Sequence, residues 1–348
     1  MNARGRLLKG ARPAGAKPLK VLIIGAAGMI GRKLVQRLVK DGALNGEKIA
    51  SADLVDIVEP EKPANASFPV KTKAVDIADS TTAPRLAAAR PDVIFHLAAI
   101  VSGEAEQNFD KGYAINLDGT RLLFEAIRQE NLRSEGKYAP RVVFASSIAV
   151  YGAPFHDTID DEFFLTPLTS YGAQKAIGEL LLADYSRRGF FDGIGIRLPT
   201  ICVRPGKPNL AASGFFSNII REPLAGRPAV LPVSEDVRHS HASPRAAVGF
   251  LLHAAALDGN KLGPRRNLSM PSVSVTVGEQ IEALRKVAGE AVVKQIRREK
   301  DETIARIVAG WPRRIEAKRA RSLGFTAETS FEDIVRVHIE DELAGQIG

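Results

Sequence analysis

The stretch 19–42, LKVLIIGAAGMIGRKLVQRLVKDG, reads as a strand, a glycine turn and a helix. Val21, Leu22, Ile23 and Ile24 form the short continuous apolar run of a strand buried on both faces, and Ile30, Leu34, Val35 and Leu38 then recur at helical spacing. Between the two patterns Gly25, Gly28 and Gly31 stand three apart. A turn without side chains lets backbone approach a pyrophosphate, and the amides that open the helix face it. The stretch therefore predicts a dinucleotide cradle made by Gly25, Gly28, Met29, Ile30 and Gly31.

Apolar strand patterns keep alternating with helical ones downstream. A strand is expected near 49–57, a helix near 80–90, a strand in DVIFHLAA (92–99), a helix in YAINLDGTRLLFEAIRQ (113–129), a strand in RVVFASS (141–147), a helix from 169 and a strand in GIGIRLP (193–199). Strands separated by helices predict an α/β chain with a doubly wound parallel sheet, a Rossmann fold, over residues 20–205. Beyond 205 the pattern loosens into segments punctuated by Pro and Gly, with helices near 214–226, 244–257, 277–289 and 331–343. This predicts a smaller C-terminal substrate lobe at 206–348, with the last sheet strands interwoven near 236–270.

Composition narrows the function classes. The 348 residues are 45% hydrophobic and 25% charged, ordinary for a globular protein of one large domain or a domain plus a lobe. No apolar run approaches the roughly 20 residues that span a bilayer, so no membrane role is expected. The net charge of +8 is concentrated in residues 1–19 and their neighbour, where Arg4, Arg6, Lys9, Arg12, Lys17 and Lys20 stand without an acid. This reads as a basic flexible tail. The rest is nearly balanced and poor in Tyr and Trp, which argues against a nucleic-acid partner. A lone Cys202 excludes an intrachain disulfide and predicts a reducing, cytoplasmic setting. His239 and His241 alternate as in a strand, without nearby Cys or an H-E-x-x-H helix, so no metal is expected.

In a doubly wound sheet, ligands meet the C-terminal ends of the strands. The acid that holds the adenosine ribose is either Asp53 or Asp56, 22 and 25 residues after Gly31; LVD puts Asp56 at the strand end, which favours it. A carboxylate there repels a 2'-phosphate, so NAD is expected over NADP, with Arg32 as the one contrary charge. Asp76 and Ile77 in DIAD are placed to meet the adenine, and Leu97, Ala98 and Ala99 give the cofactor a surface to lie on. Ser146 and Ser147 end a strand 24 residues before Tyr171, and TSYGAQKA sets Tyr171 and Lys175 on one helix face. That Tyr–Lys spacing alone recurs by chance.

Taken together and in order, the glycine turn, NLDGT with Asn116, FASSIAVYG and YGAQK resemble the extended short-chain dehydrogenase/reductases of the NAD-dependent epimerase/dehydratase kind, over residues 20 to about 340. The resemblance implies Ser147, Tyr171, Lys175 and Asn116 as the catalytic set, with Ser147, Tyr171, Lys175 and Pro199 also touching NAD. Dehydratases of the family carry an acidic pair where this chain has Ser147 and Ile148. TPLTSYGAQKAIGELLLADYSRRGF, IRLPTICVRPGKPNLAASGFFSNIIREPL, RHSHASPRAAV and GWPRRIEAKRARSLGF resemble the D-erythronate dehydrogenase branch.

That branch implies NAD-dependent oxidation of the C2 hydroxyl of a small sugar acid. Tyr171 would be the base, its phenol made more acidic by Lys175, with Ser147 holding the reacting oxygen. Arg238 is the candidate for the substrate carboxylate, and Thr200, Ser213 and Ser102 for its hydroxyls. The alternative is a nucleotide-sugar 4-epimerase with tightly bound NAD, in which Arg238 would hold nucleotide phosphates; Thr200 in LPT, where epimerases usually have Asn, weighs against it. A non-catalytic NAD-sensing or RNA-associated scaffold is disfavoured because Ser147, Tyr171 and Lys175 all persist. The family habit implies a homodimer through the helices at 114–129 and 171–188.

Overall fold

The computed structural model describes residues 17–206 and 212–348. The basic tail up to residue 16 lies outside the described residues. Strands are numbered β1 (Leu19–Ile24), β2 (Ala43–Leu44), β3 (Glu47–Asp56), β4 (Val70–Ala74), β5 (Val93–His96), β6 (Arg141–Ser147), β7 (Asp192–Leu198), β8 (Thr200–Ile201), β9 (Ala229–Leu231), β10 (Arg238–Ala242), β11 (Asn267–Ser269), β12 (Val273–Thr276) and β13 (Ile296–Arg298).

The main sheet runs β11-β7-β6-β5-β1-β3, and β3 then pairs with β4 and with the short antiparallel β2. All its other pairings are parallel. β1 is central because its side chains are apolar on both faces: Leu22, Ile23 and Ile24 are at most 2% exposed. One face packs against Leu34, Val35 and Leu38 of helix Met29–Asp41 and Phe250 and Leu251 of helix Pro244–Ala256. The other receives Leu123, Phe124 and Ile127 of helix Gly119–Arg133 and Leu182 of helix Ser170–Arg187.

A separate core, built on Phe216, Ile219, Ile220, Ile281, Leu284, Ile334 and Val335, holds the smaller lobe together. Two strands fall within 236–270, where interweaving with the sheet is expected. β11 joins the main sheet beside β7, whereas β10 pairs with β8 and β12 in a three-stranded sheet of its own. Parallel register sets Ile24 beside Val55 and His96, His96 beside Phe144, and Ser147 beside Leu198. The strand ends thus form one edge, and the residues that follow them share it.

Candidate active site

At that edge the three glycines do different work. Gly25 has φ +94°, and its amide reaches Val55 O on the neighbouring strand at 2.9 Å. A β-carbon on Gly25 would come within 2.6 Å of Ala98 N, and one on Gly31 within 2.1 Å of Gly25 O. Both contacts are impossible, so only glycine lets the turn fold back on itself. Helix Met29–Asp41 starts at Gly28 with no side-chain cap and no acid in its first turn. Its leading amides are left for an anion, and the cradle fits a dinucleotide pyrophosphate.

Asp56, the last residue of β3, accepts from Ala27 N at 2.9 Å through one oxygen and from Ile57 N at 2.7 Å through the other. It is thereby held against the glycine turn. Asp53 sits inside the strand, opposite Leu22. Asp76 is exposed and accepts from Ala78 N at 2.9 Å, while Ile77 is buried in a space that Gly119 leaves open: a β-carbon there would meet Ile77 Cγ2 at 2.9 Å. Leu97 and Ala98 both donate to Ile24 O, at 2.8 and 3.0 Å, so they and the half-buried Ala99 continue the sheet edge beside Gly25. Arg32 is exposed on the first helix turn.

Helix Ser170–Arg187 starts where it does because Thr169 Oγ1 accepts from Gly172 N at 3.0 Å. Gly172 lets that helix end press on the loop after β6, since a β-carbon would lie 2.2 Å from Ala149 O. The same loop is closed by Ser147 Oγ, which accepts from Ala149 N at 3.1 Å. Tyr171 and Ser147 are brought together in this way. Ser146 points elsewhere, donating to Glu179 Oε1 at 2.6 Å.

Burial raises the Tyr171 phenol above its ordinary value of 10.0; hydrogen bonding with Ser147 and the charge of Arg204 pull it back. The sequence had assigned that pull to Lys175. In the structure the Lys175 ammonium donates to Ala145 O at 2.9 Å and lies 4.8 Å from the centre of the Phe144 ring. Burial lowers it to about 8, against the opposing effect of Glu179. Glu179 in turn grips Arg197 through both oxygens, at 2.7–3.1 Å, and Arg197 Nη1 donates to Tyr151 at 2.7 Å. This buried frame fixes the helix that carries Tyr171 and Lys175.

Asn116 lies fully buried in a π-helical turn, Tyr113–Asp118, where the extra residue per turn swings it inward. Its oxygen accepts from Ile100 N at 2.9 Å, and its amide donates to Gln174 Oε1 at 2.8 Å and to Ile100 O at 3.3 Å. These contacts tie the π-helical turn both to the loop after β5 and to helix Ser170–Arg187. His96, buried beneath and pushed down to about 3 by desolvation, meets Thr120 Oγ1 at 2.9 Å.

Across the cleft, buried Pro199 turns β7 into β8. Thr200 Oγ1 lies 2.7 Å from His239 Nε2, and His239 Nδ1 lies 2.9 Å from Pro312 O. A carbonyl only accepts, so Nδ1 carries the proton and Thr200 donates to Nε2. Desolvation holds His239 down to about 4 and therefore neutral. Among the described residues no group of three or more His, Cys, Asp or Glu is placed to hold a metal.

Arg238 does not reach into this cluster by any described contact: it donates to Ser274 O at 3.0 Å and pairs with Glu279 at 3.2 Å. Ser274 and Glu279 line a different cleft, whose wall also carries Glu282, Glu328 and Glu332 beside Lys286 and Arg321. Ser102 opens the short helix Ser102–Gln107, half-buried. Ser213 accepts from Arg204 Nη2 at 2.9 Å. Arg204 was missed from the sequence. Its only local signal is a charge in ICVRPG just after the strand-end Thr200.

The sequence profile of the NAD dependent epimerase/dehydratase family matches residues 21–245. The D-erythronate dehydrogenase of Cupriavidus necator is 45% identical over 327 residues, covering 93% of this chain and 98% of its own length. That of Haemophilus influenzae is 42% identical, covering 93% of this chain and 100% of its own. The crystal structure of the nucleoside-diphosphate-sugar epimerase from Agrobacterium tumefaciens superposes with a TM-score of 0.94 at 65% identity, over 98% of this chain and 99% of that one. With a glycine cradle shaped for a dinucleotide and the carboxylate of Asp56 held against it, the chain belongs to the NAD-dependent epimerase/dehydratase family and uses NAD as its cofactor.

Proposed function

We propose that the protein oxidises the C2 hydroxyl of a small sugar acid of the D-erythronate type and releases the reduced cofactor at each turnover. The observation that carries the chemistry is a half-buried phenol, Tyr171, at the start of a helix that presses on the loop closed by Ser147, at the sheet edge that also holds the glycine cradle. Full-length likeness to two D-erythronate dehydrogenases supports the substrate class. NAD, when bound, accepts the hydride from the alcohol carbon.

The chain's residues handle the proton. Tyr171 accepts it from the substrate hydroxyl, and Ser147 donates to the reacting oxygen and fixes its position. Lys175, anchored on Ala145 O, is within reach of the cofactor side of the sheet edge and braces the helix there. Asn116 keeps the loop after β5 in register with that helix through Ile100 and Gln174. Asp56 receives the ribose hydroxyls, and Asp76, Ile77, Leu97, Ala98 and Ala99 line the adenosine side. Thr200, with its proton committed to His239, offers an acceptor to a substrate hydroxyl.

A homodimer through the helices at 114–129 and 171–188 is supported by apolar side chains that the single chain leaves uncovered: Leu180 is 66% exposed and Ile177 37%. The cytoplasm is the proposed compartment, in keeping with the single buried Cys202; among the described residues no helix is long and apolar enough to cross a membrane.

The second reading, a nucleotide-sugar epimerase, is favoured by the name of the solved Agrobacterium tumefaciens structure. Release of the reduced cofactor separates the two. Given NAD and D-erythronate, the protein should accumulate NADH well beyond one equivalent per site. NADH that stops at or below one equivalent, while a nucleotide sugar is interconverted, would replace this reading with the epimerase.

A further inference from the structure

Arg204 is a partly buried cation with no carboxylate to answer it. Its Nε donates to Ile201 O at 3.0 Å and its Nη2 to Ser213 Oγ at 2.9 Å, while its backbone amide donates to Ser217 Oγ at 3.0 Å. Every side-chain partner is neutral, and Nη1 makes no hydrogen bond among the described residues. None of the ion pairs among the described residues includes it. The stretches 1–16 and 207–211 contain no Asp or Glu, so their side chains supply no counter-charge either.

The surroundings add positive charge. Arg221 donates to Arg204 O at 2.8 Å, and its charge acts on Arg204 unfavourably. His239 and His241, also within the field of Arg204, are neutral through burial. The one carboxylate nearby on the helix, Glu222, is already shared between Arg221 and Arg227, at 2.7 Å each. A desolvated guanidinium in such a setting is costly unless an anion completes it.

The position matches the task. Arg204 follows Thr200 by four residues at the end of the β7–β8 edge, and its charge is felt by Tyr171. Three of its neighbours, Tyr171, Ser213 and the segment that begins at Thr200, are those already put forward for the substrate. Arg238 is engaged by Glu279 instead.

We infer that Arg204 binds the carboxylate of the substrate, with Nη1 as the open arm of its fork and Ser213 and Ile201 O holding the guanidinium in place. The inference rests on the sugar-acid reading and adds the residue that selects an acid over a neutral polyol. A carboxylate beside the reacting carbon would then be drawn to the same cluster that contains the Tyr171 phenol, which orients the adjacent hydroxyl toward it.

The experiment compares D-erythronate with its neutral C1 amide in wild type, Arg204→Gln and Arg204→Lys, with the Michaelis constant for NAD read in parallel. Arg204→Gln should raise the constant for D-erythronate by at least about 50-fold, as expected when one partner of a buried charge pair is removed, and move that for NAD by less than about threefold. The wild-type preference for acid over amide should collapse in Arg204→Gln. Arg204→Lys keeps the charge without the planar fork, so it should retain the preference with a smaller rise; it also carries the test if Arg204→Gln folds poorly. An unchanged constant for D-erythronate in Arg204→Gln, or an undiminished preference for the acid, overturns the inference while wild-type turnover leaves the sugar-acid reading standing. A wild type that oxidises no sugar acid removes the sugar-acid reading first, and this inference with it.

Discussion

The Lys175 ammonium stands 5.7 Å from the centre of the Tyr171 ring, yet the bond it makes is to Ala145 O on β6. Helical spacing brings the pair onto one face, and burial then separates their duties. The phenol is tuned by Ser147 and Arg204, and the lysine is a desolvated cation tied to the sheet edge.

Removing the Tyr171 hydroxyl removes the proton-transfer step and little else. Tyr171→Phe should cut kcat by a factor on the order of 10² to 10⁴ and leave NAD affinity nearly unchanged. Steady-state kinetics with a fluorescence titration of NAD reads both. Turnover within threefold of wild type would take the base assignment away from Tyr171.

Lys175 titrates near 8 in the folded chain against an ordinary 10.5, because burial disfavours its charge. Between those values the unfolded chain binds more protons than the folded one, so stability rises with pH; below about 8 the penalty is present in full. The stability of NAD-free wild type relative to Lys175→Met should therefore increase from about pH 8 to about pH 9.5. Thermal melts across that range test it, and a flat difference would mean the lysine is not desolvated as described.

Asp56 ties Ala27 N to the end of β3 and is the carboxylate proposed for the ribose. Asp56→Ala should raise the Michaelis constant for NAD by about 10- to 100-fold, the worth of hydrogen bonds to a charged acceptor, and weaken the discrimination against NADP. The comparison variant is Asp53→Ala. If it shows the effect and Asp56→Ala does not, the ribose lies elsewhere.

Gly172 admits Ala149 O to a place that a β-carbon would occupy, at 2.2 Å. Gly172→Ala must displace either the helix start or the loop that Ser147 closes. The expected result is a loss of kcat of about 10- to 100-fold from misplacement of Tyr171, with a stability loss of about 1–3 kcal/mol. Urea melts and kinetics on one preparation separate the two effects; intact kcat would show that Gly172 does not set the Ser147–Tyr171 contact.

Much of this was readable in the chain because it is local. The run Val21–Ile24 and the glycine spacing each declare themselves within a few residues, whereas Tyr171 with Lys175 gains meaning only together with the glycine turn and FASSIAVYG. The Asn45–Gly46 turn between β2 and β3, with φ of 55° and 80°, also had a local signal that went unread. β4, VKTKA, had none: it is an edge strand whose Lys71 and Lys73 face solvent, so no apolar alternation marks it. The arginines were the hardest to read. Arg238 looks free in DVRHSH, but pairing of β10 with β12 sets it opposite Thr276, next to the Glu279 that caps the start of the following helix. Arg204 looks ordinary in ICVRPG, and its meaning comes from carboxylates that are missing in three dimensions.

In the proposed reaction, hydride leaves C2 of a small sugar acid for NAD, which then departs. D-Erythronate carrying deuterium at C2 serves as the probe: mass spectrometry of the cofactor pool after many turnovers reads the destination of the label, and separate single-turnover measurements read the isotope effect on the transfer step. Deuterium is expected in released NADH, in amounts exceeding the enzyme many times over, together with a slowed transfer step. Deuterium that stays with the sugar acid, or a reduced cofactor that never exceeds the enzyme, would contradict it.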